Sequence, residues 1–160
     1  MFFSYGKKGP QESVTPKDGK WRSVPRVPFV NPKPLKAWAL LDMANLSKVQ
    51  NDLFIKELKK EAANMGMNPQ DPGFVATCRQ EQFESKFREL LKGNQHMRPE
   101  IIVVIMVDKS SDIYQKAKLI GDTEKSIPTQ FVLKRNATGK GPNDPKVQQT
   151  IHNIILKVRQ

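Results

Sequence analysis

The chain lacks the features that mark secreted and membrane proteins. It has a single cysteine, Cys78, which excludes an internal disulfide and a cysteine-rich zinc site. Its longest apolar run, residues 101–107, is far shorter than the ~18 residues of a membrane-spanning helix. The opening Met1, Phe2 and Phe3 are not a basic region followed by an apolar core, so we expect no signal peptide. We therefore expect a cytoplasmic protein, with the nucleus as a second compartment, and no membrane partner.

Sequence motifs for common catalytic and cofactor sites are also missing. No Gly-x-Gly-x-x-Gly follows the first predicted strand, and the Gly-Lys-Gly at residues 139–141 lacks the spacing of a Walker loop. His96 and His152 have no acid or cysteine at a spacing that indicates catalysis or metal binding, and we interpret both as structural. Asp42 ends the first predicted strand, but the sequence places no second acid beside it, so capping is favoured over catalysis. We expect no metal, no cofactor and no enzymatic activity.

Positive charge is what the chain has in excess. The formal net charge is +11. Residues 1–35 carry seven Lys or Arg against two acids, and residues 101–160 carry ten against five. A clustered basic excess favours polyanions such as nucleic acid or anionic lipid as ligands.

Proline divides the chain into two parts. Six of the twelve prolines lie within residues 1–34. Because proline lacks a backbone N–H and restricts the residue before it, we predict a linker or extended strap there. Trp21 and Phe29 are apolar enough to attach parts of this strap to a folded body. We predict that residues 35–160 form that folded domain.

Strand and helix patterns alternate from residue 35 onward. Strands are predicted at residues 35–43, 74–78, 101–107 and 130–134, helices at residues 47–65, 83–91, 112–120 and 147–158, and a loop at residues 136–144. The alternation predicts an α/β fold, a Rossmann-like four-stranded parallel sheet with helices on both faces. Ligands of such sheets bind beyond the carboxyl ends of the strands, which directs attention to the loops after Met43, Val107 and Lys134.

The first helix has the clearest local signals. Ser47 and Gln50 form a capping-box pattern at its start, and Gly66 is a plausible stop. Helical spacing predicts one apolar face made of Val49, Leu53, Phe54, Leu58, Ala62 and Met65.

One polar motif follows the central predicted strand. Tyr114 and Lys118 are four residues apart, so they share one face of a helix near its N-terminus. An aromatic ring beside an ammonium group suits a nucleotide end, since the ring stacks on a base and the cation meets a phosphate. From the residues alone, a surface tyrosine with solvated lysines is the simpler interpretation.

A family resemblance strengthens the nucleotide interpretation. The pattern Tyr114-x-x-x-Lys118-x-x-Gly121-Asp122-Thr123, followed by Thr129 and Gln130, resembles the 5′-phosphate pocket signature of eukaryotic Argonaute MID domains. The last helix, with Asn153 and Lys157, is similar to the family's Asn-x-x-Leu-Lys segment. Residues 19–22 and 36–39 resemble the family's linker entering the MID domain. The resemblance implies that Tyr114 stacks under the first guide base, and that Lys118, Gln130 and Lys157 bind the 5′ phosphate.

The chain departs from the family pattern in two places. Family members have a further lysine four residues after the Lys157 position, which here would be residue 161. The loop that reads the first base in the family often contains Gly and Pro, whereas this chain has Asp108, Lys109, Ser110, Ser111 and Asp112. The family's base preference therefore does not transfer, and helix capping by Ser110, Ser111 and Asp112 competes equally with base contact.

Lys134 and Arg135 form a basic pair next to the predicted binding edge. They are candidates for contacts to a second phosphate. A solvated basic loop is an equally good interpretation.

The resemblance also implies partners. The expected ligand is a small guide RNA, a 5′-phosphorylated siRNA or miRNA, and the expected neighbour is the PIWI domain of the same full-length protein. Cleavage in the family belongs to PIWI, so this domain is expected to be non-catalytic and monomeric in isolation. Two other classes stay open. One is a small-molecule or nucleotide-dependent enzyme on a Rossmann-like sheet, and the other is a basic protein-interaction module.

Overall fold

The computed structural model describes residues 31–92, 98–124 and 127–158. Most of the predicted linker, residues 1–34, lies outside these ranges, as do His96 and the predicted helix end at Gly93. The proposed boundary between linker and domain therefore stays a prediction.

The described chain alternates strands and helices. In order they are β1 (Ala39–Asp42), α1 (Lys48–Asn64), β2 (Phe74–Thr77), α2 (Phe83–Lys92), β3 (Ile102–Met106), α3 (Ser111–Glu124), β4 (Thr129–Leu133), α4 (Lys134–Thr138) and α5 (Pro145–Lys157). The four strands are parallel and lie in the order β2-β1-β3-β4. The predicted α/β fold is confirmed. None of the described helices has the length and apolarity to cross a bilayer.

The sheet is covered on both faces by helices. All five residues of β3 are buried, as an unbroken apolar run at the centre of a parallel sheet requires. Alternate residues of β3 face opposite cores, because successive strand side chains point to opposite sides. Val103 and Ile105 pack with α1, α4 and α5, whereas Ile102 and Val104 pack with α2 and α3.

Helix α1 begins as predicted, and four of the six residues predicted for its apolar face are buried, namely Phe54, Leu58, Ala62 and Met65. The Ser47 hydroxyl accepts from the Gln50 N–H and the Gln50 side chain accepts from the Ser47 N–H, which completes the capping box. The prediction that Val49 and Leu53 lie on the buried face is wrong, since they are 67% and 38% exposed.

Two acids are buried on α1 beside these apolar residues. Glu57 and Glu61 lie against α5, where Glu57 accepts from Gln148 and Glu61 contacts His152. Polar contacts between α1 and α5 thus lie beside the apolar contacts of Phe54, Leu58 and Ala62. The sequence pattern contains these acids but not their partners, which lie 91 residues away.

Helix α4 was not expected from the sequence. Lys134 was predicted to end the fourth strand and residues 136–144 to form a loop, but Lys134 begins a five-residue helix. Ala137 is buried in the core beneath it, and the Thr138 hydroxyl donates to the Lys134 carbonyl at 3.0 Å. Burial of one alanine outweighs the loop-forming composition of the segment. The turn into α5 then uses Gly139 and Gly141, both at positive φ.

The turn at Gly139 provides a stability prediction. Its φ is +49°, and an added Cβ would lie 2.6 Å from Asp144 Oδ2 and 2.7 Å from Val147 Cγ2. We expect Gly139→Ala to lower the free energy of unfolding by about 2 kcal/mol, because both the conformation and the contact are unfavourable. Urea denaturation of both proteins measures the difference. Gly141→Ala is the matched control, since its φ is +134° but nothing lies within 4 Å of its Cβ. Equal losses would attribute the effect to φ alone.

Candidate functional site

The strand order creates a crevice at the carboxyl edge of the sheet. The chain moves from β1 to β2 on one side and then crosses to β3 and β4 on the other. The switch point therefore lies between the carboxyl ends of β1 and β3, where open α/β sheets bind ligands. The turns after β1, β3 and β4 meet at this edge.

Asp42 organises the turn after β1. Its side chain is fully buried and accepts hydrogen bonds from the N–H groups of Ala44 and Leu46, both at 2.8 Å, and from Asn51 Nδ2 at 3.2 Å. Both carboxylate oxygens are engaged, one of them twice. Asp42 thus holds the turn that precedes α1, whose N-cap is Ser47, and both of its carboxylate oxygens are engaged there.

Lys134 connects the turns after β4 and β1. Its Nζ lies 3.5 Å from the carbonyl oxygen of Ala44, and its side chain is half-buried. Asn45, the next residue in that turn, has a φ of +52°. Arg135, in contrast, is exposed. A contact of Lys134 and Arg135 to a second phosphate stays a prediction. Lys134 already donates a hydrogen bond to the Ala44 carbonyl.

Tyr114 lies against the edge strand β4. Its ring centroid is 5.5 Å from that of Phe131, with the two planes inclined at 57°. Tyr114 is 53% exposed, so part of its ring still faces solvent. Phe131 was not identified from the sequence as a site residue. Phe131 alternates with buried Val132 along β4, and this alternation was the only sequence signal for its position. No local pattern links Phe131 to Tyr114, which lies 17 residues earlier on α3.

Gln130 precedes Phe131 on the same strand and points to the opposite face. Its Nε2 donates to the Phe131 carbonyl at 3.2 Å. Its Oε1 is buried and has no hydrogen-bond partner among the described residues. Buried polar atoms are nearly always paired, so the Gln130 side chain is unusual in this respect.

The two phosphate-binding lysines are exposed on separate helices. Lys118 lies one turn after Tyr114 on the same side of α3, and Lys157 is in the last turn of α5. Within the described part of the chain, no hydrogen bond or ion pair links either lysine to Gln130. The structure thus places Tyr114 beside the strand of Gln130, and the convergence of all four side chains stays a prediction.

The predicted base-reading loop is used partly for capping. The Ser110 hydroxyl accepts from the Ile113 N–H at 3.3 Å, so Ser110 caps α3. Asp112 forms an ion pair with Lys116 at 3.2 Å. Asp108 and Lys109 are exposed in the loop itself. Ser111 is the first residue of α3 and is exposed. Contacts of these residues to a base stay predictions.

The remaining candidates are structural. His152 Nδ1 lies 2.8 Å from Glu61 Oε1, at the contact between α5 and α1. Cys78 is buried, and burial, helped by nearby Asp42, raises the pKa of its thiol above the ordinary value. Across residues 31–92, 98–124 and 127–158, no group of His, Cys, Asp and Glu side chains is placed to hold a metal ion.

Comparison with known proteins identifies the fold. No protein-family profile matches the chain. The protein tag-76 of Caenorhabditis elegans is 28% identical over 165 residues, covering 99% of this chain. This chain spans only 15% of the length of that relative.

Two solved structures have the same architecture. The MID domain of AGO5 from Arabidopsis thaliana superimposes with a TM-score of 0.64 at 22% identity, over 82% of this chain and 91% of that domain. Drosophila Piwi superimposes with a TM-score of 0.62 at 16% identity, over 78% of this chain and 16% of Piwi. The chain is therefore a Rossmann-like α/β domain. More specifically, its fold is that of an Argonaute MID domain.

Proposed function

We propose that this chain binds the 5′-monophosphate and first nucleotide of a small guide RNA in Argonaute-mediated RNA silencing. The MID fold and the tyrosine–lysine motif on α3 support the proposal together. The single observation that carries it is the position of Tyr114, half-exposed beside the edge strand that holds Gln130. That arrangement provides a stacking surface beside β4, and the Gln130 side chain leaves the same strand on its other face.

The base platform is built from two rings. Phe131 supports the Tyr114 ring from the protein side, at a centroid distance of 5.5 Å. A supported ring loses less conformational freedom when a base stacks on it than a free ring does. Stacking of a base on an aromatic side chain contributes about 1–3 kcal/mol.

The phosphate is held by cations and an amide. Lys118 follows Tyr114 on the same helix face, and Lys157 is at the end of α5. Neither lysine forms an ion pair with another described residue, so both ammonium groups are open to an anion. Gln130 has an amide oxygen without a partner, and turning the amide would present its two N–H donors there instead. Each hydrogen bond to a charged group contributes about 1.5–3 kcal/mol when shielded from water.

A hydrolytic or transfer function is disfavoured by the state of Asp42. It is the acid at the switch point where a Rossmann-like enzyme would place its chemistry. Its oxygens accept three hydrogen bonds and its side chain is fully buried. We therefore propose a binding role without catalysis.

The partners follow from the same proposal. The chain spans 15% of tag-76 and 16% of Drosophila Piwi, so each of those proteins has large additional regions. We propose that the guide is a 5′-phosphorylated siRNA or miRNA and that a PIWI domain of the same protein completes the pocket. A cytoplasmic or nuclear location and a monomeric state of the isolated domain belong to this proposal.

A titration tests phosphate recognition directly. We expect uridine 5′-monophosphate to shift the backbone amide resonances of Tyr114, Lys118 and Gln130, whereas uridine should shift them at least tenfold less at equal concentration. The reason is that a 5′ hydroxyl leaves the cationic donors without their charged acceptor. Two-dimensional NMR of the isotopically labelled chain provides the measurement. The four nucleoside monophosphates serve as an internal control for base preference. Equal shifts from nucleoside and nucleotide would refute the phosphate pocket.

A further inference from the structure

A second cleft lies at the opposite, amino-terminal edge of the sheet. It has a volume of about 480 Å³ and opens between the segments that lead into β1, β3 and β4. None of the residues discussed above as candidate ligands lines it. The volume is within the range of small-molecule and nucleotide sites, about 300–1,000 Å³.

The charge of this cleft is predominantly positive. Lys33, Lys36 and Arg98 line it, and Glu100 is the one acid among the lining residues. Lys36 and Arg98 are exposed and form no ion pair with any residue of the described ranges. Lys36 precedes β1 and Arg98 precedes β3, and these two strands are neighbours. Both cationic side chains therefore lie at the amino edge of the sheet.

The walls provide rigidity and few donors of their own. Pro34, Pro99 and Pro128 line the cleft, and proline has no backbone N–H. The N–H of Glu100 is used by the Ala37 carbonyl at 2.8 Å. A ligand in this cleft must therefore be bound by the cationic side chains. Such side chains favour a ligand with several negatively charged oxygens, and they do not require the ligand to adopt one orientation. None of the described residues that line the cleft is aromatic, so these residues offer no stacking surface for a base.

The cleft and the proposed 5′-phosphate pocket lie along the same edge strand. Pro128 is two residues before Gln130, a separation of about 7 Å in an extended chain. Residues 1–30 carry six Lys or Arg against two acids, so their charge does not complement that of the cleft.

We propose that this cleft binds internal phosphates of single-stranded RNA through Lys36 and Arg98. The choice of RNA as the polyanion rests in part on the proposed function, because it uses the proximity to Gln130. The contact is independent of sequence and of the 5′ end. The contact lies at the amino edge of the sheet, next to the start of β4.

A 5′-hydroxyl probe tests the cleft without involving the 5′-phosphate pocket. The full 160-residue chain is titrated against a 3′-labelled decamer of single-stranded RNA with a 5′ hydroxyl, by fluorescence anisotropy over a salt series. We expect Lys36→Gln/Arg98→Gln to weaken binding about fivefold near 0.1 M salt. The slope of log K against log salt should become shallower by about 1.4, since two phosphate contacts are lost.

The matched control removes the same charge elsewhere. Lys48→Gln/Lys56→Gln changes two exposed lysines on α1 that form no ion pair with a described residue, and it should alter affinity less than twofold. Equal effects of the two double variants would overturn the proposal, because net charge alone would explain them. Loss of binding to a glutamate decamer, with RNA binding unchanged, would also overturn it and identify an acidic-peptide site.

Failure of this inference is distinguishable from failure of the proposed function. The cleft variant should keep the wild-type discrimination between uridine 5′-monophosphate and uridine, because a mononucleotide held at Tyr114 does not reach Lys36. Loss of that discrimination in the cleft variant would overturn the assignment of two separate sites.

Discussion

Replacing Asp42 by alanine is expected to lower the free energy of unfolding by about 3 kcal/mol. The carboxylate is fully buried and accepts from two backbone N–H groups and from Asn51 Nδ2. Alanine would leave these donors buried without acceptors, and each such donor carries a desolvation cost. Removing a buried charge also relieves a desolvation cost. The expected decrease in the free energy of unfolding is therefore smaller than the summed contribution of the three hydrogen bonds. Chemical denaturation followed by the fluorescence of buried Trp38 measures the change.

Two further substitutions identify the cause of this loss. Asp42→Asn keeps one carbonyl acceptor and should cost about half as much as alanine. Asp52→Ala removes an exposed acid from the first turns of α1 and should change stability by less than about 0.5 kcal/mol. A stable Asp42→Ala protein would show that water replaces the carboxylate and that the turn after β1 does not depend on it.

The sheet was predictable because its signals are local. The apolar run at residues 101–107 is long enough for one strand and too short for a typical helix, and every residue of β3 is buried. The Ser47 and Gln50 capping box fixed the start of α1 to within one residue. Strand–helix alternation and the handedness of crossovers then leave few topologies.

The burial of two acids on α1 and the existence of α4 were not predictable for the opposite reason. Glu57 and Glu61 are buried because Gln148 and His152 meet them from α5. Burying an acid costs free energy unless it has a partner, and the local sequence does not show the partner. A prediction from hydrophobic residues alone therefore places Val49 and Leu53 inside and leaves the two acids outside. Helix α4 depends on burial of Ala137, a tertiary contact that a loop-like sequence does not encode locally.

The candidate site divides in the same way. The helix position of Tyr114 and Lys118 follows from their spacing, and the structure places both on α3. The contact of Tyr114 with Phe131 and the tether from Lys134 to Ala44 required the fold, since each joins elements far apart in sequence. The sequence resemblance assigned roles to polar residues, whereas the structure adds the apolar support beneath them.

Tyr114→Ala and Lys118→Ala are expected to weaken ligand binding in different ways. Tyr114→Ala removes stacking, so it should weaken a 5′-phosphorylated guide and its 5′-hydroxyl counterpart by the same factor, about tenfold. Lys118→Ala removes a cation, so it should weaken only the 5′-phosphorylated guide, also by about tenfold. The ratio of the two dissociation constants, measured for each variant at one salt concentration, separates the two roles.

The chain contains a matched control for the lysine. Lys116 lies two residues earlier on α3, carries the same charge, and is paired with Asp112 at 3.2 Å. Lys116→Ala should reduce the affinity of both RNAs slightly and equally, because its loss changes only the general electrostatic attraction. If Lys118→Ala selectively lowers the affinity for the phosphorylated guide and Lys116→Ala does not, the phosphate is located on the Tyr114 face of the helix. If the two lysine variants behave alike, Lys118 acts only through net charge, and the phosphate must be held by other residues.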